Sequence, residues 1–517
     1  MSPEAGDGNA VPAHGPPWCR FDREEILLRR VSCGKLQFSK PSGGALRTMV
    51  AWAWRGPCKP SWSIMSTSMY RADHAWQGNR WAQDMAFGVR DGILAIDGRA
   101  IAREPSTRLG KYVLPGMPNL HSHAFQRAMA GMAERRGPGN DSFWTWREAM
   151  YGFAQRIGPD DLKAIAAQLY VEMLQAGYTH VCEFHYLHHQ PDGSPWPDAA
   201  AMSHAIAEAA EEAGIGLTLL PVLYMSGGFD GRPLGERQRR FGHTVDAYLR
   251  LVDSLRVGDG AGRTTGVALH SLRAVQPDAI HAVLGAIGRD MPVHIHIAEQ
   301  VPEVDECLAV RGCRPVRWLI DNVQVDARWC LVHATHLDAG ETRDLAQSGA
   351  VAGLCPTTEA NLGDGLFPLA SFIDHGGVLG IGSDSHISVS PVEELRWLEY
   401  GQRLVARQRN VAARDAGQSV GESLFTRSLD GGAAASGVAI GAIAHGAQAD
   451  LVVLDDAAPV LAARDARDAM DSFIFSGNVP LVRDVMVGGR WVVREGHHVH
   501  QTRIADRYRR TVERLKA

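Results

Sequence analysis

The stretch Leu114-Pro-Gly-Met-Pro-Asn-Leu-His-Ser-His-Ala-Phe-Gln-Arg127 decides how the rest of the chain is read. An apolar run, broken by Pro115, Gly116 and Pro118, leads into His-Ser-His. On an extended strand alternate side chains share a face, so His121 and His123 aim at one point and Ser122 turns away. Two neutral imidazoles converging at a strand end make half of a zinc site. Alone, the pair is a weak signal, because two histidines near a strand end also have a purely structural reading. Its weight depends on what other strand ends supply.

Working outward, eight apolar, strand-like runs cover residues 113–120, 178–187, 216–225, 265–272, 292–297, 329–334, 350–355 and 378–382. Helical periodicity fills most of the gaps, as over 160–176 and 202–213. Eight alternating units predict an α/β fold, a (β/α)8 TIM-type barrel. Chemistry in that fold sits at the C-terminal ends of the strands. The fifth run reads Pro292-Val-His-Ile-His-Ile-Ala-Glu-Gln300, with His294 and His296 on one face and Glu299 three residues beyond His296. The sixth run ends Leu331-Val-His-Ala-Thr-His336, and the eighth Gly380-Ile-Gly-Ser-Asp-Ser-His386. Each fragment alone is explained by a buried histidine or a helix-capping aspartate. Four separate strand ends carrying His, Glu or Asp point instead to a nitrogen and oxygen site for Zn²⁺ or Fe²⁺. Such an ion lowers the pKa of water to about 7.

The chain ends differ in character. Short alternating segments occur between residues 70 and 112, with a turn signal at Asp97-Gly98, and again at 449–455 and 484–493, where Gly488-Gly489 marks a hairpin. A small β-sandwich built from both chain ends is expected: 69–113 and 441–500 flanking a 114–440 barrel, with a C-terminal helix over 501–517. Residues 1–64 mix Pro, Gly and Ser with isolated tryptophans and show no period. They are expected to be a disordered or non-native extension, with translation starting at Met65 or Met69.

Bulk properties exclude several classes. The 517 residues carry a net charge of −5, with no basic tract for nucleic acid. No apolar run is long enough to span a membrane, and no secretory signal opens the chain. The 8 cysteines include no C-x-x-C pair, which predicts buried thiols and a cytoplasmic setting.

The pieces His121-Ser-His123, His296-Ile-Ala-Glu299, His333 and Ser383-Asp384 resemble the amidohydrolase superfamily, metal hydrolases on a (β/α)8 barrel with a companion β-sandwich. The His-x-x-Glu spacing resembles its mononuclear deaminases. Binuclear relatives often bridge their metals with a lysine, yet no lysine lies between Lys163 and Lys516. One metal per subunit is therefore expected. Asn119–Arg127, Glu183-Phe-His-Tyr-Leu-His-His189, His270-Ser-Leu-Arg273 and His294–Gln300 further resemble the formimidoylglutamate deiminase family within that superfamily.

That resemblance implies a hydrolase acting on a linear amidine, converting N-formimidoyl-L-glutamate and water to N-formyl-L-glutamate and ammonia in histidine degradation. It implies His121, His123, His296 and Asp384 as ligands to Zn²⁺, with Fe²⁺ as the alternative. Glu299 would donate a proton, His333 would orient the attacking water, and Asp384 would take the water's proton. The substrate carboxylates suit the planar fork of arginine, and the candidates are Arg147 and Arg273, with Gln126, Tyr186 and His270; Ser385, beside Asp384, would touch the amidine. In Phe143-Trp-Thr-Trp-Arg147 the arginine has an equal reading as a cation lying on aromatic rings. His188 and His189 read as loop residues. A homodimer working on a small molecule, without nucleic acid or membrane, is implied. The rivals are another mononuclear deaminase acting on guanine, cytosine or a related ring, and a catalytically silent binding protein on the same fold.

Overall fold

A computed structural model of the chain describes residues 67–96, 105–136, 143–260 and 262–516. The extension expected over 1–64 and the turn expected at Asp97-Gly98 lie outside the described residues.

Eight parallel strands form the barrel: Met117–Ser122, Tyr178–His185, Gly216–Leu223, Val267–Ser271, Val293–Ile297, Trp329–His333, Val351–Leu354 and Val378–Ile381. They neighbour one another in chain order, and a short strand, Arg263–Thr265, adds to the third. These strands are buried on both sides, which is why they read as continuous apolar runs without alternation. The ring closes between the first and eighth strands through a parallel bridge, Ser122 to Asp384. There the Asp384 N–H donates to the His121 carbonyl at 3.0 Å, and the His123 N–H donates to the Asp384 carbonyl at 3.2 Å.

The apolar run over 113–120 is not one strand. It is the end of Thr107–Pro115, which belongs to the outer sheet, followed by Met117–Ser122 in the barrel. Pro115 has no N–H to extend a ladder. Gly116 crosses so close to the second barrel strand that a Cβ there would stand 2.1 Å from Thr179 Oγ1. The crossover between sheets therefore needs glycine.

Among the described residues the outer sheet has eight strands, drawn from 68–115 and 451–498. Thr107–Pro115 pairs parallel with Ser68–Gln77 on one side and antiparallel with Leu451–Leu454 on the other. Phe87, Leu94, Val113, Leu451 and Met486 fill a core of its own. Gly488 and Gly489, at φ +51° and +76°, turn the hairpin between Val482–Val487 and Arg490–Arg494. The helix Gln501–Lys516 ends the chain, with Ile504 and Leu515 buried.

One helix seals the barrel at the end away from the closure. At the C-terminus of Val420–Ser436, the Ala435 carbonyl accepts from His294 Nε2 at 2.8 Å. The Ser436 carbonyl accepts from Thr218 Oγ1, also at 2.8 Å. His294 is thus a structural histidine, one residue pair below His296. Gly431 lets this helix touch the eighth strand, since a Cβ at Gly431 would sit 1.9 Å from the Leu379 carbonyl oxygen. The prediction is that Gly431→Ala forces the helix off the strand and costs about 1–3 kcal/mol. Thermal unfolding should show a clearly lower midpoint, and an unchanged one would mean that the helix does not bear on the strand.

Candidate active site

His121, His123, His296 and Asp384 are brought together at the closure of the barrel. His121 Nε2 lies 3.1 Å from His123 Nε2 and 3.0 Å from His296 Nε2. Asp384 Oδ1 is 3.5 Å from the first of these and 3.3 Å from the second. All four side chains are buried.

Two backbone carbonyls set the proton positions. His123 Nδ1 faces the Phe184 carbonyl at 2.8 Å, and His296 Nδ1 faces the His270 carbonyl at 2.9 Å. A carbonyl cannot donate, so both Nδ1 atoms carry the hydrogen and both Nε2 atoms present lone pairs. Burial, and for His121 and His296 the neighbouring imidazoles, push all three histidines below their ordinary pKa, towards the neutral form. His121 Nε2 can offer one proton to two lone pairs, and its own Nδ1 is buried without a partner. Nitrogens about 3 Å apart match donors around an ion at Zn–N distances of about 2.0–2.1 Å. The donor set therefore fits a divalent cation, and fits it better than any sharing of protons.

Glu299 and His333 stand beside this cluster. His333 Nε2 is 3.8 Å from Glu299 Oε1 and 3.8 Å from Asp384 Oδ2. Its Nδ1 meets Glu359 Oε1 at 3.2 Å. Burial works against the imidazolium, yet the surrounding Glu299, Glu359 and Asp384 carboxylates push its pKa up to about 10. Burial, with help from Asp384 and Glu303, pushes Glu299 up to about 7. Backbone at these strand ends is unusual for residues with side chains: Ala298 has φ +51°, His333 +69° and Asp384 +43°. Left-handed positions of this kind cost free energy and cluster at functional sites.

One cavity is lined by His123, His296, Glu299, His333 and Asp384, and also by Gln126, Arg147, Tyr186, His270 and Arg273. Gln126 Nε2 donates to the Tyr186 hydroxyl at 2.9 Å, and the Tyr186 ring meets His123 edge-on. The Arg147 guanidinium lies 4.3 Å from the Trp144 ring and 5.4 Å from Tyr151. It therefore rests on aromatic rings and lines the cavity at once. Arg273 approaches the same Trp144 ring at 5.6 Å. Ser385 lies off this cavity, in a smaller one beside Gln126 and Trp146, with its hydroxyl 3.1 Å from that of Thr358. His188 and His189 bond to the Val222 and Gly242 carbonyls and hold a loop.

Three carboxylates escape sequence reasoning. Glu303 accepts from the Ala298 and Glu299 N–H groups at 3.2 and 3.0 Å, and so fixes the turn that carries Glu299. Glu359 orients His333. Glu183 accepts from Ser122 Oγ at 2.5 Å and from the Ala124 N–H at 2.7 Å. Glu359 follows the seventh strand in Cys355-Pro-Thr-Thr-Glu359, so inspecting every strand end would have reached it.

An amidohydrolase family model matches residues 112–492. The chain belongs to the amidohydrolase family. This amidohydrolase is 55% identical over 436 residues to a formimidoylglutamate deiminase from Pseudomonas aeruginosa, covering 84% of this chain and 96% of that one. A crystal structure of an amidohydrolase from Brucella melitensis superposes with a TM-score of 0.82 at 45% identity, over 87% of this chain and 100% of that one. An adenosine deaminase from Xanthomonas campestris with bound zinc shares the fold at a TM-score of 0.71 and 22% identity, over 87% of this chain and 98% of that one.

The donor geometry predicts that metal-stripped amidohydrolase takes up one equivalent of Zn²⁺ per chain in a calorimetric titration. Asp384→Ala and His296→Ala should each weaken uptake at least tenfold, while both remain folded by circular dichroism. Undiminished uptake in both variants would place the ion elsewhere.

Proposed function

We propose that this amidohydrolase is a metal-dependent deiminase that hydrolyses N-formimidoyl-L-glutamate to N-formyl-L-glutamate and ammonia in histidine degradation. The observation that carries this reading is the pair of guanidiniums, Arg147 and Arg273, on one indole, lining the same cavity as the imidazole and carboxylate cluster. A substrate with two carboxylates at one end and an amidine at the other complements both. The 55% identity to the Pseudomonas aeruginosa formimidoylglutamate deiminase supports it.

His121, His123, His296 and Asp384 would hold Zn²⁺, or Fe²⁺ with the same donors. When bound, the ion supplies Lewis acidity that makes water a nucleophile near neutral pH. The chain's own groups do the rest. Arg147 and Arg273 grip the carboxylates and leave the amidine facing the cluster. His333, held through Nδ1 by Glu359, donates from Nε2 to the incoming oxygen. Asp384 takes one proton of the water. Glu299, whose buried carboxyl keeps its proton up to about pH 7, passes a proton to the departing nitrogen. The water oxygen stays on carbon; ammonia leaves with the Glu299 proton and one proton of the water, and the other water proton restores Glu299. Zinc, a cytoplasmic setting and a homodimer complete the reading. The three-nitrogen, one-oxygen donor set supports the first, the scattered cysteines support the second, and the third rests on family resemblance.

The direct test is ammonia release from formimidoylglutamate, with guanine and cytosine as competing substrates. Turnover of formimidoylglutamate is expected, and Glu299→Gln should lose roughly 10²–10⁴-fold in kcat. Preference for a ring substrate would reverse the assignment. Arg273→Met should raise KM at least tenfold, about 1.4 kcal/mol, with a smaller change in kcat.

The pH dependence has a definite sign. The Glu299 carboxyl is raised towards 7, and its donating form is the protonated one. kcat/KM should therefore be held below about pH 7 on this limb and fall tenfold per unit above it. A profile flat to pH 9 would remove Glu299 from the proton-donor role.

A further inference from the structure

Behind the cluster, on the side away from the cavity, runs a chain of buried hydrogen bonds with one consistent direction. Asn119 Nδ2 donates to Ser383 Oγ at 2.6 Å. Ser383 Oγ lies 3.0 Å from His386 Nδ1, and His386 Nε2 lies 3.2 Å from Ser122 Oγ. Ser122 Oγ gives its only hydrogen to Glu183 Oε2 at 2.5 Å. Ser122 must then accept from His386 Nε2–H, so His386 Nδ1 accepts from Ser383. The chain ends on Glu183, which also accepts from the Tyr170 hydroxyl at 3.1 Å and the Ala124 N–H at 2.7 Å. Every member is buried.

The chain spans the residues that most need holding. Ser122 sits between His121 and His123. Ser383 and His386 bracket Asp384, in a loop where Asp384 and His386 both have left-handed backbone, φ +43° and +61°. Asn119 Oδ1 also accepts from the Ser383 and His121 N–H groups, at 3.1 and 3.3 Å. Glu183 itself lies on the second strand and reaches the candidate ligands through intermediaries: the Ser122 hydroxyl and the Ala124 N–H, on either side of His123.

We propose that Glu183 is a positioning residue for the metal: as the terminal acceptor of this chain, it presets the His-Ser-His strand end and the Asp384 loop so that the ligands converge before an ion arrives. The inference rests on the metal reading of the cluster. An amide at this position can keep its oxygen on the Ser122 and Tyr170 hydroxyls only by turning its NH2 group onto the Ala124 N–H, or keep the Ala124 N–H and turn that NH2 group onto the two hydroxyls. Ser122→Ala cuts the same chain without touching the buried carboxylate. Groups that orient metal ligands typically change metal affinity 10–100-fold.

The test follows zinc rather than turnover. Zinc-loaded wild type, Glu183→Gln and Ser122→Ala are mixed with excess chromogenic chelator, and zinc release is timed. Both variants should release zinc at least tenfold faster than wild type, while KM for formimidoylglutamate, measured with zinc in excess, changes less than twofold. If Glu183→Gln does not fold, Ser122→Ala decides alone. Folded variants that hold zinc as long as wild type would overturn the role of Glu183. Wild type that takes up no zinc would overturn the metal reading and this inference with it.

Discussion

Lone pairs forced together with too few protons to pair them are the constraint on which this molecule depends. His123 and His296 have their Nδ1 hydrogens committed to carbonyls, so their Nε2 atoms meet His121 Nε2 with one proton at most among the three. Away from water such crowding is costly, and a divalent cation is what relieves it. The barrel produces the crowding as a consequence of closing. The bridge that joins its last strand to its first is made by Ser122 and Asp384, within the stretches that carry the candidate ligands. Ring closure and site formation are one event, and a chain unable to close would have no centre.

The same strand shows how position along the barrel divides structure from chemistry. His294 and His296 point to one side of Val293–Ile297, as period-two geometry requires. His294 lies deeper and donates to Ala435 of the helix that seals the far end. His296 lies at the C-terminal end and joins the cluster. Identical side chains two residues apart thus have unrelated work, decided by depth alone. The sealing helix reaches its place because Gly431 and Gly432 present bare backbone to Leu379 and Pro118.

Much of this was legible in the sequence because it rests on local period and on strand ends. Apolar runs of five to ten residues announced the barrel strands, and His-x-His followed by His-x-x-Glu announced which ends carry donors. The run over 113–120 misled because an apolar pattern says that a strand is buried, not which sheet it joins. Pro115 and Gly116 held that information, in a missing N–H and a missing Cβ. Glu183 and Glu303 were not legible for a different reason. Each acts through a partner distant in sequence or through backbone N–H groups, and a lone glutamate in a strand or first helical turn carries no mark of that. Ser385 shows the reverse: adjacent to Asp384 in sequence, it is turned towards Thr358 by the left-handed backbone of its neighbours.

The cavity walls alone do not choose a substrate. Phe143, Trp146, Tyr151, Tyr186, Tyr224 and Phe241 would stack a purine as readily as they would enclose an aliphatic chain. Charge makes the choice. Arg273 is 8% exposed, and of its neighbours Glu303 is committed to the backbone of the turn and Glu299 stands beside His333. A neutral ring would bury two guanidiniums further without giving either a counter-charge, and a desolvated cation left unpaired is among the most costly features a binding site can hold. A dicarboxylate reverses that penalty by offering planar oxygens to planar forks. On the proposed reading, the aromatic surface would set the width of the substrate, and the arginine pair would select a dicarboxylate.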